Sequence, residues 1–257
     1  LCFTCHDDKA ALAKMQNLHP IVADGCVNCH NPHSGAQKGM LAARGDALCA
    51  TCHAEVAKIA QTAPYPHGAL TGDGCGACHD AHGTGQPRMF PGPAQTMCYA
   101  CHSDIEQKVK ASKSQHQPVA AGECWSCHNP HGASFPNLLQ RNYPQDFYAP
   151  WSEENYALCL GCHAAGAFRY ERTIATNFRN GDRNLHLVHV NKSDKGRTCR
   201  ACHGVHGADQ PRLVQSRVPG FGRWEIPINM QYTATGATCV VGCHKPKSYD
   251  RERAVSN

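Results

Sequence analysis

Large aromatic side chains are scarce in this chain, with seven Phe, three Trp and eight Tyr in 257 residues. A domain of that length normally buries a sizeable side-chain core. So few rings, beside 23 glycines and 16 prolines, argue against such a core and predict little regular secondary structure. No apolar run approaches the roughly 20 residues of a membrane-spanning helix. Nor is there a block of consecutive basic residues, so the formal charge of +5 carries no nucleic-acid footprint. A secretory signal is not visible either, since the first cysteine motif begins at Cys2.

Cysteine is the exception to this sparseness, and all 18 fall into one pattern. C-x-x-C-H occurs eight times, at Cys2/Cys5/His6, Cys26/Cys29/His30, Cys49/Cys52/His53, Cys75/Cys78/His79, Cys98/Cys101/His102, Cys124/Cys127/His128, Cys159/Cys162/His163 and Cys199/Cys202/His203. A ninth site, Cys239-Val240-Val241-Gly242-Cys243-His244, has one extra residue between its thiols. C-x-x-C-H is the attachment signature of c-type haem: two thiols add across the porphyrin vinyl groups, and the adjoining histidine becomes the proximal ligand of the iron. One such pentapeptide could equally be half of a zinc knuckle or a redox dithiol. Nine sites with no cysteine left over stand against zinc and disulfide readings.

The histidines match this count. Nine of the 18 are proximal, and nine remain as distal ligands: His19, His33, His67, His82, His116, His131, His186, His189 and His206. The expected cofactors are therefore nine covalently attached haem c groups with two histidine ligands each, leaving the five methionines to packing. A haem enzyme needs an open iron position or an unusual proximal ligand, and the count provides neither, so the expected role is electron transfer and not catalysis. His33, His82, His131 and His206 each follow a proximal histidine by three residues. That is too close to reach the opposite face of the same porphyrin, so each should ligate a different haem.

With a haem for about every 29 residues, the cofactors must be most of the core. The expected fold is mostly irregular coil with short α-helices and few short strands, wrapped around a chain of nine covalently bound haems. Folding should then depend on haem attachment, as small metal domains depend on their metal. Propionates and ferric porphyrins together would move the net charge to about −4 oxidised and about −13 reduced, so the lysines and arginines read as propionate partners and surface charge. Because c-type haem is attached outside the cytoplasmic membrane, the chain is expected to be exported, periplasmic or extracellular, and trimmed from a longer precursor.

The sites form repeats within a single array over 1–257. Each repeat holds a plain site, a lone histidine and a doubled site with the added histidine. Residues 1–48 carry repeat one, 49–97 repeat two, 98–158 repeat three and 159–238 repeat four, with two haems each, and 239–257 are a half repeat with one. Successive first cysteines are 47, 49, 61 and 80 residues apart, so insertions accumulate toward the C-terminus. Helical patterns follow the first three plain sites, over Asp7–Gln16, Ala54–Gln61 and Ser103–Ser112, with acidic residues opening them and lysines toward their ends. His19, His67 and His116 lie 7 or 8 residues before the next cysteine, which assigns them to the haem attached just after them. His33, His82, His131 and His206 are assigned to the first haems of their own repeats.

The doubled stretches CVNCHNPHSG, CGACHDAHG, CWSCHNPHG and CRACHGVHG, each with a plain site upstream, resemble the doubled motif of multihaem cytochromes from metal-respiring bacteria. The resemblance covers nearly the whole chain. It implies one of three roles: a periplasmic carrier, a conduit threaded through an outer-membrane porin, or a protomer of an extracellular cytochrome nanowire. Nine sites with a C-x-x-x-C-H ending depart from the decahaem pattern of the conduits.

Beyond Gln140 the composition changes, and 12 of the 18 aromatics lie there. Trp224, Ile226, Ile228, Met230 and Tyr232 alternate with polar residues, a strand signature that Pro227 places at a sheet edge, with Tyr170–Phe178 as candidate partner. The aromatic insertions either cover haem edges or form a docking surface. Expected partners are other redox proteins or copies of the chain itself in a head-to-tail homopolymer. His186 or His189 is the expected source of the distal ligand at the last site. The competing functions are a soluble periplasmic shuttle and a multihaem reductase subunit, the latter marked by a high-spin haem.

Overall fold

The computed structural model describes residues 1–192, 194–220 and 222–257. They gather into two compact units, one of Leu1–Ser103 with Gly122–Gln140, the other of Asp104–Ala121 with Arg141–Asn257. Among the described residues no helix exceeds nine residues, and coil joins short helical turns to two- and three-residue strands, as the composition predicts. None is long and apolar enough to cross a membrane.

The three expected helices form with different character. Asp7–Lys14 is a 3-10 helix. Ala54–Thr62 (α1) and Ser103–Ala111 (α2) are α-helices opened by Glu55 and by Asp104 and Glu106. In α2 an exposed Glu106–Lys110 pair at 2.7 Å adds only about 0.3–0.5 kcal/mol. His53 caps α1 and His102 directly precedes α2, so in both cases a proximal histidine stands at a helix N-terminus.

Short antiparallel pairings tie each repeat to the next. In the first unit, Asn17–Leu18 pairs with Gly83–Thr84, and Tyr65 bridges Ala133. In the second, Ser114–Gln115 pairs with Gly207–Ala208. Each joins the residues just before a lone histidine to those just after the added histidine of the following repeat. Glycine is required at these crossings. Gly83 has φ +132°, and a Cβ there would stand 2.7 Å from the Asn17 carbonyl oxygen; Gly132 (φ +134°) would place one 2.8 Å from the Ala63 Cβ.

Side-chain cores differ between the units. The first buries only Leu12, Ala133 and Leu139 among its described apolar residues. The second holds a four-stranded antiparallel sheet of β1 (Arg217–Pro219), β2 (Glu225–Tyr232), β3 (Gly236–Val241) and β4 (His244–Asp250), in the order β4-β3-β2-β1. Val214, Val218, Ile226 and Ile228 cluster beneath it, each fully buried side chain worth about 1.5–3 kcal/mol. The alternation expected for β2 is present, but its edge placement is not: β2 lies between β1 and β3. Ile228 donates to the Ser216 carbonyl on the β1 side, so residue 227 faces β3 where that ladder ends at Ile228–Val241. A missing N–H costs nothing there, and the Pro227 carbonyl still accepts from Gly242 N–H at 3.1 Å. Tyr170–Phe178 is not a strand; Phe178 instead packs edge-on against Tyr249 of β4 at 5.2 Å.

Candidate haem centres

Each C-x-x-C-H pentapeptide is wound into one tight turn. In all eight, the histidine N–H donates to the carbonyl of the first cysteine at 2.9–3.1 Å, from His6 to Cys2 through to His203 to Cys199. The second cysteine is drawn into the same turn. Backbone N–H groups of Cys5, Cys52, Cys127 and Cys162 donate to the Cys2, Cys49, Cys124 and Cys159 carbonyls at 3.2, 3.2, 3.3 and 3.2 Å. That closure sets both thiols and the imidazole on one side of a single helical turn, the arrangement needed to hold one planar group by two covalent arms and a ligand.

A structural cysteine is among the most buried of residues, and these do not behave as such. Cys5, Cys52 and Cys162 are solvent-exposed thiols in no disulfide. Protein side chains therefore do not close over the second position of these three motifs, where the sequence assigns thioether arms; the group expected to cover them is the porphyrin they would carry. The ninth site is built differently. Cys239 lies on β3 and His244 opens β4, facing Val241 across the hairpin. None of the 18 cysteines forms a disulfide, and among the described residues no three His, Cys, Asp or Glu side chains converge as in a zinc site.

Doubled sites carry an added loop. After the proximal histidine, the Asn31, Asp80 or Asn129 carboxamide or carboxylate accepts from the backbone of the added histidine two residues on, at 3.1, 2.9 and 3.1 Å. This Asx turn swings His33, His82 and His131 away from the site that precedes them. The chain then returns nine residues later, and the proximal Nδ1 meets a backbone carbonyl: His30 with Gly39 at 2.7 Å, His79 with Arg88 at 2.9 Å, His128 with Asn137 at 2.8 Å and His203 with Arg212 at 3.1 Å. These acceptors were not foreseen, although the recurring stretches around Gly39-Met40, Arg88-Met89, Asn137-Leu138 and Arg212-Leu213 lie at one offset in every repeat.

The histidine rings pair across repeats. His19 faces His53 with centroids 6.0 Å apart, His30 faces His82 at 6.0 Å, and His67 faces His102 at 6.2 Å. His79 faces His131 and His116 faces His163, both at 6.2 Å. Interplanar angles in these five pairs run from 7° to 32°. The expected pairing within a repeat is thereby corrected. His19, His67 and His116 meet the plain site of the next repeat, not the doubled site that follows them, and His82 and His131 meet the doubled site of the preceding repeat. The cause is the strand pairing: His19 N–H donates to the His82 carbonyl at 3.2 Å and His116 N–H to the His206 carbonyl at 3.3 Å, so each of these lone histidines is anchored on the following repeat. Its own doubled site is separated from it by a one-turn helix and, after His19, His67 and His116 alike, a positive-φ glycine.

Burial first, then the facing imidazole, lowers the pKa of His19, His116 and His131 and so favours the neutral, ligating form. His186 is pushed down to about 4 by burial first and then by His203, and His189 is lowered by burial with His244 within electrostatic reach. Phe168 and Phe178 each stand 5.1 Å from the His186 ring and Phe178 5.7 Å from His189, with Trp151 packed behind Phe168 and Tyr156 behind Trp151. These aromatics cover ligand-type histidines. No ring pair among the described residues includes His6 or His33.

The doubled CXXCH motif family matches residues 19–58, 67–107 and 116–168, just over half of the chain. The chain belongs to this family. It is a multihaem cytochrome c, and its C-x-x-C-H motifs mark covalently bound haem c. No curated protein matches the chain. Each matched segment starts at a lone histidine and runs through the plain site of the next repeat, so it contains both rings of a pair: His19 with His53, His67 with His102, His116 with His163.

The side chains of this multihaem cytochrome fit the group its motifs call for. With metal–nitrogen bonds of about 2.0 Å and about 1.1 Å from nitrogen to ring centre, two imidazoles on one iron stand about 6.2 Å apart, which matches the five pairs. Tyr143 Oη and Tyr156 Oη are buried without a hydrogen-bond partner among the described residues, and both lie within electrostatic reach of Cys199 and Cys159 of two attachment sites. Burial first, then those two thiols, pushes both phenols above their ordinary range.

Proposed function

We propose that this cytochrome binds nine haem c groups, each iron held by two histidines, and conducts electrons along sites that follow one another in sequence order. The five ring pairs at 6.0–6.2 Å carry the reading, because each brings together two ligand-type histidines from neighbouring repeats. Bound haem supplies one-electron ferric–ferrous chemistry. Proximity between motif cysteines supports this order. Cys75 lies within electrostatic reach of Cys49, Cys78 of Cys101 and Cys98 of Cys124, from the third to the sixth sites. In the second unit Cys199 lies within reach of Cys159, and Cys202 of Cys239 and Cys243, which spans the last three. A carrier role is favoured over a reductase because the nine remaining histidines match the nine sites. Intact-mass measurement with electron paramagnetic resonance tests this: nine haem increments and low-spin signals alone are expected. Fewer increments, or a sizeable high-spin signal in the resting protein, would overturn it.

The partner in this reading is a second copy of the chain, associated head to tail in the periplasm or outside the cell. In support, His6 and His33 enter no ring pair among the described residues, and Phe3 and Val27 near them in sequence are exposed apolar side chains. Such a heterologous contact propagates when its rotation does not close. Light scattering without detergent should show mass growing with concentration, and in His33→Ala this growth should be lost. A wild-type protein that stays monomeric at high concentration would remove the partner while leaving the electron-carrier reading intact.

A further inference from the structure

The four loops that return to the doubled sites share a costly backbone. Gly39-Met40 have φ +72° and +52°, Arg88-Met89 +59° and +56°, Asn137-Leu138 +56° and +58°, and Arg212-Leu213 +62° and +60°. Among the described residues these steps hold seven of the eight non-glycine positions with positive φ. Each such residue costs about 1–2 kcal/mol, and Met and Leu have no side-chain hydrogen bond to offset it. A paired left-handed step turns two successive carbonyls toward the motif. The first accepts from the proximal Nδ1, at 2.7–3.1 Å in all four sites. The second accepts from the backbone N–H just after that histidine, Asn31 to Met40 at 2.8 Å, Asp80 to Met89 at 2.9 Å, Asn129 to Leu138 at 2.8 Å and Gly204 to Leu213 at 2.9 Å.

Two of the plain sites are built otherwise. Among the described residues no carbonyl faces Nδ1 of His53 or His102; both residues are solvent-exposed, and His53 caps the N-terminus of α1, where the helix field is positive. At the ninth site, by contrast, His244 Nδ1 meets the Lys245 carbonyl at 2.6 Å.

We propose that the paired left-handed step is a ligand-tuning device, which orients and polarises the proximal histidines His30, His79, His128 and His203 so that their haems are the lower-potential class, alternating from His30 to His128 with the higher-potential haems of His53 and His102. A carbonyl accepting from Nδ1–H fixes the tautomer with Nε2 toward the iron and raises the electron density of Nε2. A better donor favours ferric over ferrous iron. Gly39 and its three counterparts are thus positioning residues that act through the imidazole. The inference rests on the haem reading above.

Gly39 offers the cleanest test, since the nearest atom to an added Cβ is His30 Cε1 at 4.0 Å and only the backbone resists a side chain. Gly39→Val disfavours positive φ, whereas Gly39→Asn tolerates it. In a redox titration followed by electron paramagnetic resonance, Gly39→Val should shift one haem upward from the low-potential class, with the haem count unchanged. Gly39→Asn should titrate as the wild type. A second measurement uses the unaltered holoprotein in its reduced, diamagnetic state: Nδ1 protons of His30, His79, His128 and His203 should exchange slowly with solvent, and those of His53 and His102 rapidly. Unchanged potentials in a Gly39→Val protein carrying its full haems, or equal exchange at the two kinds of site, would overturn the device. Absence of haem from the wild-type chain would instead overturn the reading beneath it.

Discussion

His82 stands three residues from His79 and 52 from His30, yet His30 is the ring it faces. The Asx turn at Asp80 and the backbone bond from His19 to the His82 carbonyl decide this, and neither involves the imidazole itself. His82→Ala should therefore open an axial position on the haem carried by Cys26 and Cys29. The reduced variant should bind carbon monoxide at about one haem in nine, and adding Cys26→Ser and Cys29→Ser should abolish that band; persistence of the band would place the vacancy elsewhere. Attachment sites were legible because covalent chemistry demands the same residue types at one spacing. The partner of each distal histidine was not, because it follows from strand pairs two residues long that leave no compositional trace. Arg88-Met89 and Arg212-Leu213 were visible as a recurrence, but their role depends on φ, which those residue types conceal.

At the scale of elements, the inter-repeat strand is where two ligands are set at once. Leu18 pairs with Gly83 directly beside His19 and His82. In Gly83→Ala, the positive φ and the 2.7 Å approach to Asn17 O must both be relieved, at a cost of about 1–3 kcal/mol. The expected result is a high-spin component from two haems, those of His30 and His53, with a lowered thermal midpoint. Gly85→Ala, where nothing lies within 4 Å of the added carbon, should do neither. The helices and the alternation of β2 were readable because periodicity survives in four to nine residues. Proline misled at position 227 because its cost depends on which side of the strand the lost N–H would face, and that is fixed only by the neighbouring strands.

For the molecule as a whole, the two units stand on different footings. The first has almost no apolar side-chain core, while the second has the sheet over Val214, Val218, Ile226 and Ile228. Chain made without haem attachment should thus keep amide protection across residues 217–250 and lose it through 1–103, as hydrogen exchange would show. Equal protection in both stretches would mean that side chains alone hold the first unit. The cross-repeat pairing also bears on how such a protein changes size. A segment cut from one lone histidine to just before the next, such as 67–115, brings two attachment sites together with His67 for its own plain site and His82 for the doubled site of the preceding segment. Tandem duplication of that segment adds two irons and strands no ligand. Growth is therefore quantised, and gene duplication can lengthen the conductor in even steps without redesigning a single coordination sphere.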